Sequence, residues 1–452
     1  MSQKRYLCRL ERKIAPPAIC NVVVPTLLST KSSINTDLLK KAVYHFITVQ
    51  PNFNAGVKKI DDGNWKFVPL EKIEDVFEVL PDEYNWKDIC LRYSSSLLRE
   101  PLKCEFYSAL KVFFIKQSNV SAYLIPVYMH YAADGTNGMT IVHDILKAYK
   151  QLCEGEELDT TPFSPPPSVD DMALSGLTDT HEKLKENYET YTRGVYKSLN
   201  CSLPFEEINV TEALYYTSTN NVYANFLKAC RYYKVSVGAA LTASMFFGFG
   251  GNIFGAKAVS AEQLNVSVNI PINLRDRVSN NTASNCCNLS VTQFLLCCSI
   301  KKVTTFWELA RQIRETLLEK MSDNHKFHLF DFACNENVCN SEEKKTAMEK
   351  FGVSQQFCVS NMRRFPGCID FGEFAIESIH CVGGLWIKNW DVMELMIYST
   401  NKFNLSMIHR QGVENTKRAE HVFKYVKYIV EYAGGWQKDE TLENCMRYVK
   451  DL

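Results

Sequence analysis

The chain has 452 residues, with 51 Lys and Arg against 51 Asp and Glu, so its formal net charge is zero. Nucleic-acid binders gain most of their affinity by neutralising phosphates, and no global basic excess serves that purpose here. With 46% hydrophobic and 12% aromatic residues the chain is not a disordered one, and its length predicts two or three structural units at about 100–200 residues per domain.

The first twenty residues (MSQKRYLCRLERKIAPPAIC) carry charges throughout and no apolar core of signal-peptide length, so a cytoplasmic protein is expected. Asn35–Val49 then places Leu38, Leu39, Ala42, Val43, Phe46 and Ile47 at helical spacing, with Asn35 or Thr36 as N-cap and Pro51 as the stop. Strands are expected at Trp65–Val68, Lys111–Phe114 and Ala122–Met129. The last is nearly continuous in apolar residues, as in a strand buried on both faces, and Pro126 predicts an edge or bulge position for it. Met139–Lys150 returns to helical spacing. Glu154–Asp171 holds four prolines and six acidic residues, and reads as a surface linker.

A polar helix is expected over Thr180–Leu199, before a second half. There, helices are expected at Asn221–Tyr233, Val235–Phe247 and Val303–Met321, and strands at Asn265–Ile272 and Leu289–Ser299. Late strands follow at Ala375–Ile379, Gly384–Ile387, Glu394–Tyr398 and Phe403–Ile408, and a final helix at Asn415–Tyr432. The longest apolar stretch, Val235–Phe254, is interrupted by Gly248, Gly250 and Gly251, short of the ~18–20 continuous apolar residues of a membrane span. The fold class is mixed α/β (α+β). The domain boundaries are 1–175, a connecting helix or linker at 176–200, and 201–452.

Seventeen cysteines are present, with no C-x-x-C pair. Without a leader they read as free, buried thiols rather than disulfides. The best metal-like cluster, His325, His328, Cys334 and Cys339, matches no common zinc spacing, and no metal is expected.

Among nine histidines, only His130 has an acidic residue four positions on followed by a glycine, in VYMHYAADGTNGM. It stands at the end of a buried strand where the chain turns, a place where α/β proteins put reactive groups. Histidine is also the side chain best suited to move a proton near neutral pH. By spacing alone, Asp134 either orients His130 or binds a distant cation and fixes the turn.

His130, Asp134 and Gly135 resemble the HxxxDG motif of the CoA-dependent acyltransferase superfamily, which includes plant BAHD acyltransferases, fungal alcohol acetyltransferases, chloramphenicol acetyltransferase and peptide-synthetase condensation domains. Val266–Arg277 (VSVNIPINLRDR) is similar to that group's strand ending in Asn-x-Arg, here Asn273 and Arg275. Val359–Phe374 (VSNMRRFPGCIDFGEF) resembles the BAHD stretch ending in DFGWG; Asp370, Phe371 and Gly372 match, whereas Glu373 and Phe374 depart. Softer similarity covers Leu38–Val57, Lys234–Ser244 and Ser284–Asn288, so the anchors run in the family's order from residue 38 to about 374.

The resemblance implies two chloramphenicol-acetyltransferase-like lobes with a tunnel between them. It also implies acyl transfer from acyl-CoA, with acetyl-CoA expected, to a hydroxyl or amine of a small acceptor. His130 is then the general base, with no acyl-enzyme, and Arg275 pairs with Asp134 across the two halves. Asn273 and Gly135 are structural, Asp370 has an arginine partner, and Ser360 and Asn361 are candidate oxyanion or substrate groups. Lys257, Arg363 and Arg364 are candidates for the CoA phosphates. A monomer is expected, with small-molecule partners, no nucleic acid and no membrane span. The competing readings are a catalytically silent binding or scaffold protein, favoured by Glu373 and Phe374, and a condensation-type enzyme using a carrier-protein thioester.

Overall fold

The structure is a computed structural model that describes residues 6–8, 11, 21–61, 64–70, 73, 76–94, 108–165, 181–201, 210–255, 262–273, 275, 286–320, 346, 349, 356–384, 393–436 and 438–450. It divides into two compact units, and neither is one run of chain. The first gathers Met1–Gly176, Asn273–Val291 and Met362–Trp386; the second gathers Leu177–Ile272, Thr292–Asn361 and Ile387–Leu452.

In chain order the first part carries β1 (Asn21–Val23), β2 (Thr26–Thr30), α1 (Thr36–Val49), β3 (Ala55–Asp61), β4 (Asn64–Pro69) and β5 (Phe77–Leu80). There follow α2 (Trp86–Ser94), β6 (Leu110–Lys116), β7 (Ser121–Met129), α3 (Gly135–Cys153) and α4 (His181–Ser198). Next come β8 (Thr211–Thr217), α5 (Asn220–Tyr232), α6 (Val237–Gly255), β9 (Leu264–Asn273), β10 (Val291–Ile300), α7 (Phe306–Lys320) and β11 (Phe357–Arg364). The chain closes with β12 (Phe374–Ile379), β13 (Val382–Gly383), β14 (Met393–Ser399), β15 (Phe403–Arg410), α8 (Val413–Tyr432) and α9 (Leu442–Lys450).

The first unit is built on β7. On one side β7 pairs antiparallel with β1 and β2, which run end to end; on the other it pairs with β6, and β5 lies parallel to β6. β12 extends the sheet beyond β2, and β13 beyond β1. Pro126 is therefore in a central strand, not at an edge. It is tolerated because it faces the break between β1 and β2. Val24 N donates to the Pro126 carbonyl, and the Val24 carbonyl, which no proline N–H can serve, accepts from Thr26 Oγ1 at 3.3 Å. α1 begins as expected: Asn35 Oδ1 accepts from Asp37 N and Leu38 N at 3.0 and 3.2 Å. Its Leu39, Ala42, Val43, Phe46 and Ile47 are buried.

The second unit holds a six-stranded sheet in the order β10-β9-β11-β14-β15-β8, with β9 and β11 parallel. One face carries Val266, Val268, Phe357, Val359, Leu395, Ile397, Leu405 and Met407, in one core with residues of α5 to α9. α6 runs through the glycines that the sequence suggested as its end. It is long and apolar enough to cross a membrane, yet 83% of its apolar window is buried in the protein.

Those glycines are packing positions. A Cβ on Gly248 would stand 2.8 Å from the Val422 carbonyl oxygen, and one on Gly251 would meet the Tyr425 ring. Gly248→Ala is therefore expected to destabilise by about 1–3 kcal/mol through overpacking, against a helix-propensity gain of about 1 kcal/mol. Denaturant unfolding measures the net loss; a net gain would mean that α8 can move aside.

The last expected helix is not the last: α9 follows, its Leu442, Cys445, Met446 and Val449 buried. Of the strand expected at Gly384–Ile387, residues 385–387 lie outside the described residues; Gly384 follows the short strand Val382–Gly383.

Away from the core face, Glu394 on β14 is partly exposed but strongly desolvated. Burial pushes its carboxyl up to about 7, and a hydrogen bond with Cys358 pulls the other way. A carboxyl raised on folding contributes stability that is complete below its unfolded value, about 4.3, and is lost as pH rises through about 7. The advantage of Glu394→Gln over the parent should thus grow by about 2 kcal/mol between pH 5 and pH 8. Melting curves at both pH values test this; a pH-independent difference would show that Glu394 ionises freely.

Candidate active site

β7 ends at Met129 and His130 opens the turn that leads to α3. Tyr131, Ala132, Ala133 and Asp134 are all buried, while His130 is half-buried. The His130 Nδ1 lies 3.0 Å from the Ala133 carbonyl. A carbonyl only accepts, so Nδ1 carries the hydrogen, and the neutral ring presents an Nε2 lone pair. That is the form in which imidazole accepts a proton.

Asp134 is the N-cap of α3, which starts at the motif and not four residues later. Its Oδ1 accepts from Asn137 N at 3.2 Å, and Asn137 Oδ1 accepts from Asp134 N at 3.3 Å, a reciprocal capping box. A carboxylate also complements the positive end of the helix dipole. Its Oδ2 accepts from Arg275 Nη1 at 2.7 Å and Ser290 N at 3.0 Å. Both oxygens are thus engaged by groups other than the imidazole. Of the two roles open from spacing, the geometry is that of fixing the turn.

Arg275 is gripped in turn. Its Nη2 donates to Asn137 Oδ1 at 2.8 Å and to the carbonyl and Oδ1 of Asn288, both at 2.6 Å. The side chains of Arg275 and Asp134 are only 11% and 5% exposed, so this is a buried pair. Asn273 explains the Asn-x-Arg spacing: its Oδ1 accepts from Arg275 N at 2.8 Å, turning the chain at the end of β9. The pair joins residues far apart in sequence, but it does not bridge the two units. Asn273–Val291 belongs to the first unit with Asp134, and its described residues Arg275, Cys287, Asn288 and Ser290 bond to Asp134, Asn137 and Gln50 of that unit. Gly135 sits where a Cβ would stand 3.0 Å from Met362 Cγ.

The remaining expected residues lie elsewhere. Asp370 has no arginine among the described residues; its Oδ1 accepts from Gly372 N at 2.8 Å in a tight turn that puts Gly372 at φ +89°, a conformation only glycine adopts readily. This turn buries Phe371, which stacks on Phe374 with ring centroids 5.1 Å apart, and Phe374 also meets Tyr149. Phe374 is thus a core residue, and Glu373 is exposed with Ser32 bonded to its carboxylate.

Ser360 and Asn361 are consecutive within β11, so their side chains take opposite faces. Asn361 Nδ2 lies 3.0 Å from where a Cβ on Gly238 would stand, on the α6 side, so the two residues do not present their side chains together. Arg363 and Arg364 are exposed, and Lys257 lies outside the described residues.

Sequence reasoning missed Asn137, Asn52 and Tyr128, and gave Asn288 no role. Only Asn137 had a local signal, the Asp-x-x-Asn spacing of a capping box.

Thirteen described cysteines are free thiols. Burial pushes Cys201, Cys230 and Cys445 up to about 12 and Cys286 to about 11, so these thiols stay protonated and are poor nucleophiles. Among the described residues no group of three or more His, Cys, Asp or Glu could hold a metal, and the cluster of His325, His328, Cys334 and Cys339 lies outside them.

No family model matches the chain, and no curated protein matches it. Solved structures do. Polyketide synthase associated protein 5 from Mycobacterium tuberculosis superposes with a TM-score of 0.68 at 15% identity, covering 95% of this chain and 98% of that one. The first condensation domain of the CDA synthetase gives 0.69 at 11% identity, covering 98% and 99%. A trichothecene 15-O-acetyltransferase from Fusarium sporotrichioides gives 0.68 at 11%, covering 94% and 95%. The chain therefore shares its mixed α/β fold with condensation domains and with the trichothecene acetyltransferase.

Proposed function

Within this acyltransferase-type fold, we propose that the chain moves an acyl group from acyl-CoA to a hydroxyl or amine of a small acceptor, with His130 as general base. One observation carries the reading: the His130 Nδ1–Ala133 carbonyl bond, which leaves Nε2 as the basic atom on a turn pinned by the Asp134–Arg275 pair. Nε2 takes the proton from the acceptor's O–H or N–H as that atom attacks the thioester carbonyl carbon. The C–S bond breaks from the tetrahedral intermediate, and the same proton passes from the imidazolium to the leaving thiolate. The products are an ester or amide and free CoA thiol, with no residue acylated. Burial of the cysteine thiols supports this direct route over a covalent one.

The likeness to condensation domains supports a second reading, in which the same chemistry draws its acyl group from a carrier-protein thioester. Thiol release separates the two. The purified chain is given acetyl-CoA, or acetyl-pantetheinyl carrier protein, with a panel of small alcohols and amines. Acceptor-dependent release from acetyl-CoA is the expected result. Release only from the carrier protein would favour condensation chemistry, and release from neither, with ligand still bound, would favour a silent binding protein.

A further inference from the structure

The turn that carries His130 is held at three successive carbonyls. The Ala133 carbonyl accepts from the His130 ring itself, and the Asp134 carbonyl accepts from Tyr128 Oη at 2.8 Å. The third, on Ala132, accepts at 3.3 Å from Asn52 Nδ2, a side chain remote in sequence. The same nitrogen donates to the Cys287 carbonyl at 3.0 Å, so each hydrogen of the amide serves one carbonyl. Gln50 completes the grip, its Oε1 accepting from Cys287 N at 2.9 Å.

Asn52 and Gln50 stand in the tight turn after α1, where Phe53 N and Asn54 N both donate to the Gln50 carbonyl. The two residues are 4% and 0% exposed. What they hold together are the two arms of the site. One is the turn bearing His130. The other is the segment whose next residue, Asn288, accepts from Arg275 Nη2 and, through its carbonyl, from Asp134 N.

We infer that Asn52 is a positioning residue for acyl transfer: by clamping the Ala132 and Cys287 carbonyls to one amide, it sets the turn on which the His130 ring is aimed. Peptide 132–133 is part of the ring that His130 closes through the Ala133 carbonyl, so a shift at Ala132 turns the imidazole. The inference rests on the reading of His130 as the base. Buried amides that bridge two backbone segments leave both carbonyls unsatisfied when removed, so the segments must move or admit water.

The test compares Asn52→Ala with the parent and with Asn54→Ala. Asn54 is in the same turn, but among the described residues its Nδ2 donates only to the Thr48 carbonyl of the preceding helix α1, at 3.1 Å. Asn52→Ala is expected to lower kcat for thiol release by about 10–10²-fold, with KM for the acyl donor within about twofold, because misplacing a reacting group by about 1 Å costs that much. Asn54→Ala should match the parent.

Ring nitrogen-15 spectra of histidine-labelled protein, with His130→Gln to assign the signal, give an independent readout. The parent should show the Nδ1–H tautomer alone and Asn52→Ala a mixture. Unchanged kcat together with an unchanged tautomer in a folded Asn52→Ala overturns the inference. If the parent releases no thiol at all, the acyl-transfer reading fails while the tautomer still decides the role of Asn52. Should Asn52→Ala not fold, Asn52→Ser, whose short hydroxyl cannot reach both carbonyls, is read by the same criteria.

Discussion

His130→Ala is expected to lower kcat for acceptor-dependent thiol release by about 10²–10⁴-fold, the usual worth of a positioned general base. The loss falls on kcat and kcat/KM alike, because the proton is taken only as the acceptor attacks. His130→Gln loses as much. Its side-chain amide can still donate to the Ala133 carbonyl, as Nδ1 does, but it offers no basic nitrogen. A loss under about tenfold in both variants would mean that the acceptor's proton leaves by another route.

The second large effect concerns stability. Arg275→Met strands the Asp134 carboxylate in a buried site and removes the donors to Asn137 Oδ1, Asn288 O and Asn288 Oδ1. Breaking one side of a buried pair costs about 3–5 kcal/mol. Denaturant unfolding should show that loss. The double variant Asp134→Asn with Arg275→Met should recover part of it, since the second change removes the uncompensated charge. A loss under about 1 kcal/mol in Arg275→Met would place the pair among solvent-screened surface bridges, contrary to its exposure of 11% and 5%. Activity is expected to fall in Arg275→Met as well, through displacement of the turn, since neither Asp134 oxygen is engaged by the imidazole.

What could be read from the sequence follows from how local each signal is. α1 was legible because its cap, its apolar stripe and its stop lie within seventeen residues, Asn35–Pro51. β7 was legible as an apolar run, but not its central place, because Pro126 argued for an edge and only the break between β1 and β2 makes it tolerable. α6 was cut short for a similar reason. Glycine in a helix reads as an end until the helix that packs against it, with Val422 and Tyr425, is known.

The site divides in the same way. His130, Asp134, Gly135, Asn273 and Arg275 stood out because they share short spacings that resemble known motifs. Asn52, Tyr128 and Asn288 had no such pattern. Asn52 and Tyr128 act by one or two hydrogen bonds to backbone carbonyls, Asn288 by bonds to Arg275, Asn137 and Asp134, and Asn52 reaches Cys287 across 235 positions. Asn and Tyr are common, and a single one carries no sign of which carbonyl it will meet. Ser360 and Asn361 illustrate the opposite case: two polar neighbours read together as candidates in the sequence, while a strand sends their side chains to opposite faces.

In the proposed reaction His130 passes a proton directly between acceptor and thiolate, with no acylated intermediate. A rapid-mixing experiment with acetyl-CoA tests it most directly, reading thiol release in the first turnover with and without an acceptor found in the panel. The expected result is no release without acceptor, release matched one for one by ester or amide once it is added, and loss of that turnover in His130→Ala. A stoichiometric burst of thiol without acceptor, or equal first-turnover rates in the parent and His130→Ala, would contradict it.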